Sequence, residues 1–332
     1  MTLTQAAKFT KIAVFLLTLS IVASSTFYIG YKIWYTRYLA SLPPVEEKPD
    51  PKFGILKTPY LPASAVSSSN FSYSIDTATG NLPLFEKIAK IFIMPPNTIT
   101  LLAGEKSQGL AQKFNLDPTP QILSETKYKY VNPNASLTVD LDTGNFSYTK
   151  EATKSATATI EDSNDQLTNG FKITLNSLGI LPDMLKNGPT KVIFLDQNKH
   201  TAQISLWPQD IDKKPVLTAD RDKALVRAQV IQSANDLGSY ISLNFTFWPV
   251  DTTSYATYPL KSTQEAFDGL RSGQGAILVT PTSAQVSIVN IFLAYYQSDQ
   301  YSPYLQPIYV FEGPNFLAFV PAITDSFLNL SR

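Results

Sequence analysis

Few residues of this chain have side chains that enzymes use for catalysis or metal binding. The 332-residue sequence has no cysteine and one histidine, His200, so disulfides, thiolate nucleophiles and thiolate metal sites are excluded, and no second imidazole is present to share a transition metal. His200 lies in the polar run Gln-Asn-Lys-His-Thr, which is typical of an exposed turn. No Gly-Xxx-Ser-Xxx-Gly motif is present to supply the serine of a hydrolase triad. We therefore expect no catalytic, cofactor-binding or metal-binding residues.

Carboxylates leave one enzymatic alternative open. The densest group is Glu161, Asp162 and Asp165, and it predicts the start of a helix, because the positive end of the helix dipole favours acidic side chains. A calcium or glycosidase site is the alternative for this group. The run from Asp140 to Gly144, Asp-Leu-Asp-Thr-Gly, lacks the later ligands of a calcium loop and predicts a hairpin turn.

The composition limits the class of protein. Hydrophobic residues make up 44% of the chain, which is too many for a disordered protein. The 27 basic residues balance the 27 acidic residues, so net charge gives no reason to expect binding to nucleic acid. We expect a folded protein without a nucleic-acid partner.

One segment has the length and composition of a membrane span. Residues 12–31 contain no charged residue, and 20 residues at about 1.5 Å each match a hydrocarbon core of roughly 30 Å. Aromatic and basic residues suited to the headgroup region follow, among them the predicted anchor residues Lys32, Trp34, Tyr35 and Arg37. The sequence predicts one transmembrane helix over residues 12–35.

A cleaved signal peptide is the alternative for the same segment. Lys8 and Lys11 resemble a basic n-region, and Ser24 and Ser25 are small enough for a cleavage site. The aromatic belt favours a retained anchor, since a released peptide needs no such belt. We expect a single-pass protein of the cell membrane, with a cytoplasmic tail of residues 1–11 and an extracytoplasmic C-terminal body.

The body begins with a stretch that resists helix formation. Residues 41–70 contain six prolines followed by a serine-rich run, a composition that favours extended chain. The sequence predicts a Pro/Ser-rich linker and strap over residues 36–95.

Two α+β units follow, over residues 96–155 and 156–250. The first has an apolar helical face near residues 104–114 and then alternating strands up to the Asp-Thr-Gly turn. The second has a predicted helix that Gly179 and Pro182 terminate, and then β-branched and aromatic strands. The charged segment 208–222 predicts a solvated loop. The order of a helix and then strands occurs twice, but no residue-level repeat demonstrates duplication.

The last unit, residues 251–332, combines one helix with strands. Ser262 followed by Glu265 is a capping-box pattern, and strands are predicted over 284–296, 305–312 and 316–323. The aromatic residues of these strands are expected to be mostly core. The alternative is a sheet face or groove that binds a peptide or another domain. The candidate partner-binding residues are Tyr296, Tyr304, Tyr309 and Glu312.

The C-terminal 80 residues resemble a known family. The Tyr258-Pro dipeptide leads into the helix, and Ala-Tyr-Tyr296, Leu-Gln-Pro-Ile-Tyr-Val-Phe-Glu312-Gly and Phe319-Val-Pro-Ala follow. This pattern is similar to the closing domain of the YycH/YycI regulators, and the helix and meander over residues 98–150 resemble PepSY-like units. The fold class expected is α+β, a single N-terminal transmembrane helix followed by antiparallel-sheet units each packed with a helix.

The resemblance implies a function without assigning a catalytic residue. YycH/YycI proteins are single-pass membrane proteins of Gram-positive bacteria that regulate a cell-wall sensor kinase. We therefore expect a membrane-anchored, extracytoplasmic binding or regulatory protein with a protein partner at the cell envelope, and no enzyme. The alternatives are a carboxylate-dependent glycan hydrolase of the envelope, or a structural subunit of an envelope assembly.

Overall fold

The computed structural model describes residues 3–41, 48–96, 100–151 and 159–329. The chain divides into two units, Met1–Lys48 and Pro49–Arg332. The first unit is an apolar helix and the second is rich in sheet, so the predicted mixed α+β class with an N-terminal apolar helix is confirmed.

The first unit contains a single long helix. Helix α1 spans Leu3–Ser41, and its part Leu16–Tyr38 is long and apolar enough to cross a membrane by length and composition. The hydroxyls of Ser24, Ser25 and Thr26 donate to carbonyl oxygens four residues earlier, at 2.8 Å each, so these polar groups are satisfied within the helix. Helix α1 extends beyond both ends of the predicted 12–35 segment, because no proline precedes position 43.

The second unit contains four helices and nineteen strands in its described part. The helices are α2 (Ala103–Lys113), α3 (Asn164–Ser177), α4 (Asp183–Lys186) and α5 (Thr263–Arg271). The strands are β1 (Leu56–Lys57), β2 (Ser72–Ile75), β3 (Ile88–Ile93), β4 (Gln121–Ile122), β5 (Lys127–Asn132), β6 (Ala135–Asp140), β7 (Phe146–Lys150), β8 (Thr190–Phe194), β9 (Ala202–Leu206), β10 (Val216–Leu217), β11 (Val226–Val230), β12 (Tyr240–Phe245), β13 (Asp251–Pro259), β14 (Ala276–Val279), β15 (Gln285–Ile288), β16 (Asn290–Tyr296), β17 (Tyr304–Gly313), β18 (Phe316–Pro321) and β19 (Leu328–Asn329).

Eight antiparallel strands form the first sheet, in the order β4-β5-β6-β7-β12-β11-β9-β8. The sequence predicts two separate units here, over residues 96–155 and 156–250, but the pairing of β7 with β12 joins their strands into one sheet. The Ser147 hydroxyl donates to the Asn244 side chain across this junction, at 2.9 Å. Joining the strands removes two open edges that separate sheets would have exposed.

The core of this sheet lies on one face, where α2 and α3 contribute apolar residues. From α3, Leu167, Phe171 and Leu175 are buried, as their helical spacing predicts. Ile173 of the same helix is 61% exposed, because it lies on the opposite side of the helix. The helix begins with a capping box between Ser163 and Gln166.

Seven strands form the second sheet, with β17 at its centre. The main order is β10-β16-β17-β18-β14, and β17 also pairs with β3, which pairs with β13. Helix α5 lies on one face, where Phe267 and Leu270 pack with Tyr309 and Phe311. The predicted capping box at Ser262 is present.

Residues 48–96 are part of the folded body. The sequence predicts linker and strap here, but three strands form in this stretch: β1 pairs with β19, β2 with β15 and β3 with β13. Leu56 is buried among apolar residues of β3, β13 and β19. Prolines in the stretch are compatible with this placement, because extended chain at a sheet edge needs few amide donors.

The two capping boxes should differ in how their contribution to stability depends on pH. The Glu265 carboxylate accepts hydrogen bonds from the Ser262 amide and hydroxyl, and these bonds hold the pKa of Glu265 below its usual value. Its contribution to stability is therefore complete above about pH 5.5 and is lost as the pH falls through the lowered pKa of the folded state. Gln166 makes the equivalent bond in α3 without a titrating group.

We expect Glu265→Ala to lower the free energy of unfolding by about 0.3–1.5 kcal/mol at pH 7 and by less at pH 3. Gln166→Ala, the matched control, should cost the same at both values. Urea unfolding of each variant at pH 7 and at pH 3, followed by tryptophan fluorescence and compared with the native chain, measures the difference. Equal pH dependence of the two variants would show that the Glu265 bonds do not contribute as described.

Candidate functional site

A groove of about 400 Å³ lies where the start of β8 meets the second sheet. Its volume falls in the range of about 300–1,000 Å³ that ligand sites occupy. The groove is lined by residues 189–191 and Trp207 from the first sheet, by residues 215–218, Asp220 and Arg221 from the segment after β9, and by Phe292, Val310, Glu312, Leu317 and Phe319 from the second sheet.

The floor of the groove is apolar. It is formed by Phe292 of β16, Val310 of β17, and Leu317 and Phe319 of β18. Neighbouring strand residues point to opposite faces of a sheet, so Val310 faces the groove while Tyr309 and Phe311 pack under α5. The floor is thus the sheet face that α5 does not cover.

The wall next to Trp207 is held by hydrogen bonds. The Trp207 indole Nε1 donates to the Thr218 hydroxyl at 3.1 Å, and this hydroxyl in turn donates to the carbonyl oxygens of Asp220 and Lys223. Gly188 lies so close to the Trp207 carbonyl that an added Cβ would come within 1.8 Å of its oxygen. The turn into β8 therefore requires glycine at this position.

Two ion pairs border the groove. Arg221 pairs with Glu312, and Lys191 pairs with Asp222. The Glu312 carboxylate also accepts from the Asn290 amide at 3.0 Å. The Arg221 side chain is 53% exposed and the Glu312 side chain 17%, so the carboxylate is held by the sheet and the guanidinium extends into solvent.

Of the four candidate partner-binding residues, Glu312 alone lines the groove. Tyr309 is buried, and its hydroxyl donates to the Lys261 carbonyl at 2.7 Å. Tyr296 is buried with its ring 5.8 Å from that of Phe319, and burial raises its pKa to about 12. Tyr304 is half-buried and its ring stacks on Phe53.

The predicted anchor residues lie on α1. Trp34 and Tyr35 are exposed, and each stacks with another tyrosine of the helix. Lys32 and Arg37 lie on the same exposed stretch. This arrangement has the composition of a membrane-interface belt.

The residues considered for catalysis lie apart from the groove. His200 Nδ1 is 3.3 Å from the Asp196 carboxylate, and backbone amides of the same turn, first that of His200, lower the pKa of Asp196. Asp140 accepts amide hydrogen bonds inside the predicted hairpin turn, where Gly144 has φ of 72°. Within the described residues, no group of three or more histidine and acidic side chains could hold a metal ion.

The groove was not predictable from the sequence. The charged segment 208–222 predicts a solvated loop, yet Val216 and Leu217 pair with β16 and Arg221 pairs with Glu312. The apolar pair Val216-Leu217 inside a charged segment was the one local signal. The rest of the groove joins residues that lie about 100 positions apart in the sequence.

Comparisons with known proteins give weak structural likenesses. No protein-family model and no curated protein matches the chain. An uncharacterized protein from Eubacterium rectale ATCC 33656 aligns at 12% identity and a TM-score of 0.31, covering 70% of this chain and 82% of its own. The Bacillus megaterium YpeB C-terminal domain aligns at 13% identity and a TM-score of 0.26, covering 69% and 95%. The YycH/YycI resemblance stays a prediction.

Two of the candidate residues should differ in their effect on stability. Tyr309→Phe removes the donor to a buried carbonyl and should lower the free energy of unfolding by about 1–3 kcal/mol. Glu312→Gln removes an ion pair with an exposed partner and should cost less than about 1 kcal/mol. Urea unfolding of both variants measures this. A loss of stability in Glu312→Gln as large as that in Tyr309→Phe would contradict this and would show that the ion pair stabilises the sheet.

Proposed function

We propose that the chain is a membrane-anchored binding protein of the cell envelope whose body binds a protein partner at the groove. The main support for the proposal is the exposed apolar surface of α1. Its stretch Leu16–Tyr38 exposes apolar side chains such as Leu17 and Phe27 along its length. Exposure of an apolar surface of this extent to water is unfavourable. Insertion into a bilayer, or packing against another apolar surface, removes the helix surface from water. The helix thus supplies the anchor.

The body supplies the binding surface. The groove combines an apolar floor with charges at its rim, which is the composition of specific binding sites. In the orientation that we propose, residues 1–11 are cytoplasmic and the body is extracytoplasmic. Confinement to one membrane surface raises the effective concentration of the groove for partners on the same surface. A regulator of the YycH/YycI kind would act in this way, through contacts with an envelope protein such as a sensor kinase.

Binding fits the groove better than glycan hydrolysis. A glycosidase needs two carboxyl groups that face its substrate, and the groove has Asp220 and Glu312. Both oxygens of Glu312 already accept hydrogen bonds, from Arg221 and Asn290. Asp220 accepts from the Asp222 amide and pairs with Lys223. These carboxylates organise the rim of the groove.

Photo-crosslinking in native membranes tests the proposal. A benzophenone amino acid at position 223, an exposed site beside the rim where the native lysine pairs with Asp220, should capture a discrete envelope protein. The same amino acid at position 112, an exposed site of α2 outside the groove, is the control and should not capture that protein. The mass of the captured chain also shows whether the N-terminal segment is retained. Absence of a protein adduct at position 223, or equal capture at position 112, would contradict the proposal.

A further inference from the structure

One edge of the first sheet is open beside the groove. Strand β8 is the last strand of its sheet and pairs on one side with β9. The Pro189 carbonyl accepts a hydrogen bond from the Trp207 amide, and the Leu195 amide donates to the Thr201 carbonyl, both next to the ends of β9. In an antiparallel ladder such bonds recur at every second residue. The backbone groups of Thr190, Val192 and Phe194 therefore point away from β9, toward the free edge.

Two edge strands of the second sheet, β13 and β14, each bond to the segment that follows residue 48. In β13, the Thr257 amide donates to the Asp50 carbonyl. In β14, the Ile277 amide donates to the Ser64 hydroxyl at 2.6 Å. Native proteins cover or charge sheet edges because an open edge pairs with other chains. Strand β8 has five residues, four of them uncharged, and the described part of the chain places no strand on its free side.

The groove continues from this edge. Thr190 and Lys191, the first residues of β8, line it together with Arg221 and the apolar floor. A strand added to β8 would therefore run into the groove and could place one side chain against Val310 and Phe319. A small molecule would make no use of the three outward backbone positions, which is why we assign the site to a peptide segment.

The rim has spare hydrogen-bond donors. An arginine side chain has five N–H donors in a planar fork that fits a carboxylate. The structure shows one bond from the Arg221 side chain, from Nη2 to Glu312. The carboxylates of Glu312, Asp220 and Asp222 each have a partner already. The complementary group on a ligand is thus an acceptor, and a carboxylate is the one that matches the charge of Arg221.

We propose that the groove binds an extended segment of the partner protein, which adds as a strand to the free edge of β8, inserts an apolar side chain into the cavity and places a carboxylate on Arg221. This inference rests on the proposed function and specifies the chemistry of the partner: an acidic residue close to a large apolar residue in extended chain.

A random twelve-residue peptide library, displayed on phage and selected against the full chain in nanodiscs, tests the inference. We expect enrichment of peptides with Asp or Glu near an aromatic or aliphatic residue. Fluorescence polarisation of one enriched peptide should show at least tenfold weaker binding to Arg221→Gln. Replacing the acidic residue of the peptide by its amide should weaken binding to the native chain to a similar extent, and should have little further effect on Arg221→Gln.

The edge is tested by Val192→Pro, which removes an outward amide without removing a bond to β9. We expect at least tenfold weaker peptide binding, whereas Val192→Thr, which keeps the amide and the branched side chain, should bind within threefold of the native chain. N-methylation of alternate peptide amides is a second test that needs no change in the protein. Methyl groups on one alternate set should abolish binding, and those on the other set should leave it intact.

The failures of the two proposals are distinguishable. Capture of a protein from position 223, with peptide binding that is insensitive to Val192→Pro and to N-methylation, would overturn strand addition and leave the proposed function standing. Decanoate, a soluble apolar carboxylate, is the small-molecule probe. Arg221-dependent binding of decanoate without enrichment of any peptide would also overturn the inference.

Discussion

The second sheet depends on the burial of both faces of β17. From Leu305 to Phe311 every residue of this strand is buried, and the strand pairs with β16, β18 and β3. Alternate side chains supply two different clusters, one under α5 and one beneath the groove. Burial of a large apolar side chain contributes about 1.5–3 kcal/mol, so this strand fixes the sheet and with it the groove floor.

The position of the rim follows from the same strand. Glu312 comes directly after the buried run and pairs with Arg221 of the segment after β9. Pairing of β10 with β16 holds the same segment from its other end. The groove therefore lies between two sheets whose positions are set by core packing, while its charged rim is close to solvent. Such an arrangement keeps a recognition site in place without requiring the recognition residues to stabilise the fold.

Local features of the fold were predictable from the sequence, and long-range pairings were not. The capping box at Ser262, the turn before Gly144 and the apolar helix follow from residues a few positions apart. The joining of β7 to β12 and the strands within residues 48–96 connect segments that the sequence separates by about 100 positions or more. Periodicity shows that a strand has a buried face, but it does not show which strand lies beside it.

The same limit explains why the sequence did not distinguish the buried candidate residues from the one at the groove. Tyrosines in alternating strands predict a buried face or a binding face equally well, because their rings are large and their hydroxyls are polar. The structure buries Tyr296 and Tyr309 and leaves Glu312 at the groove. Arg221 has no local motif, and its role becomes visible only when the second sheet is folded beside it.

Residue-resolved hydrogen exchange of the full chain in nanodiscs tests most directly whether β8 offers an open edge next to a rigid groove floor. We expect fast exchange for the amides of Thr190, Val192 and Phe194, and slow exchange for Lys191, Ile193 and the β17 amides between Leu305 and Phe311. Equal protection of odd and even residues in β8 would show that the edge is already covered. That result would contradict binding by strand addition at this site.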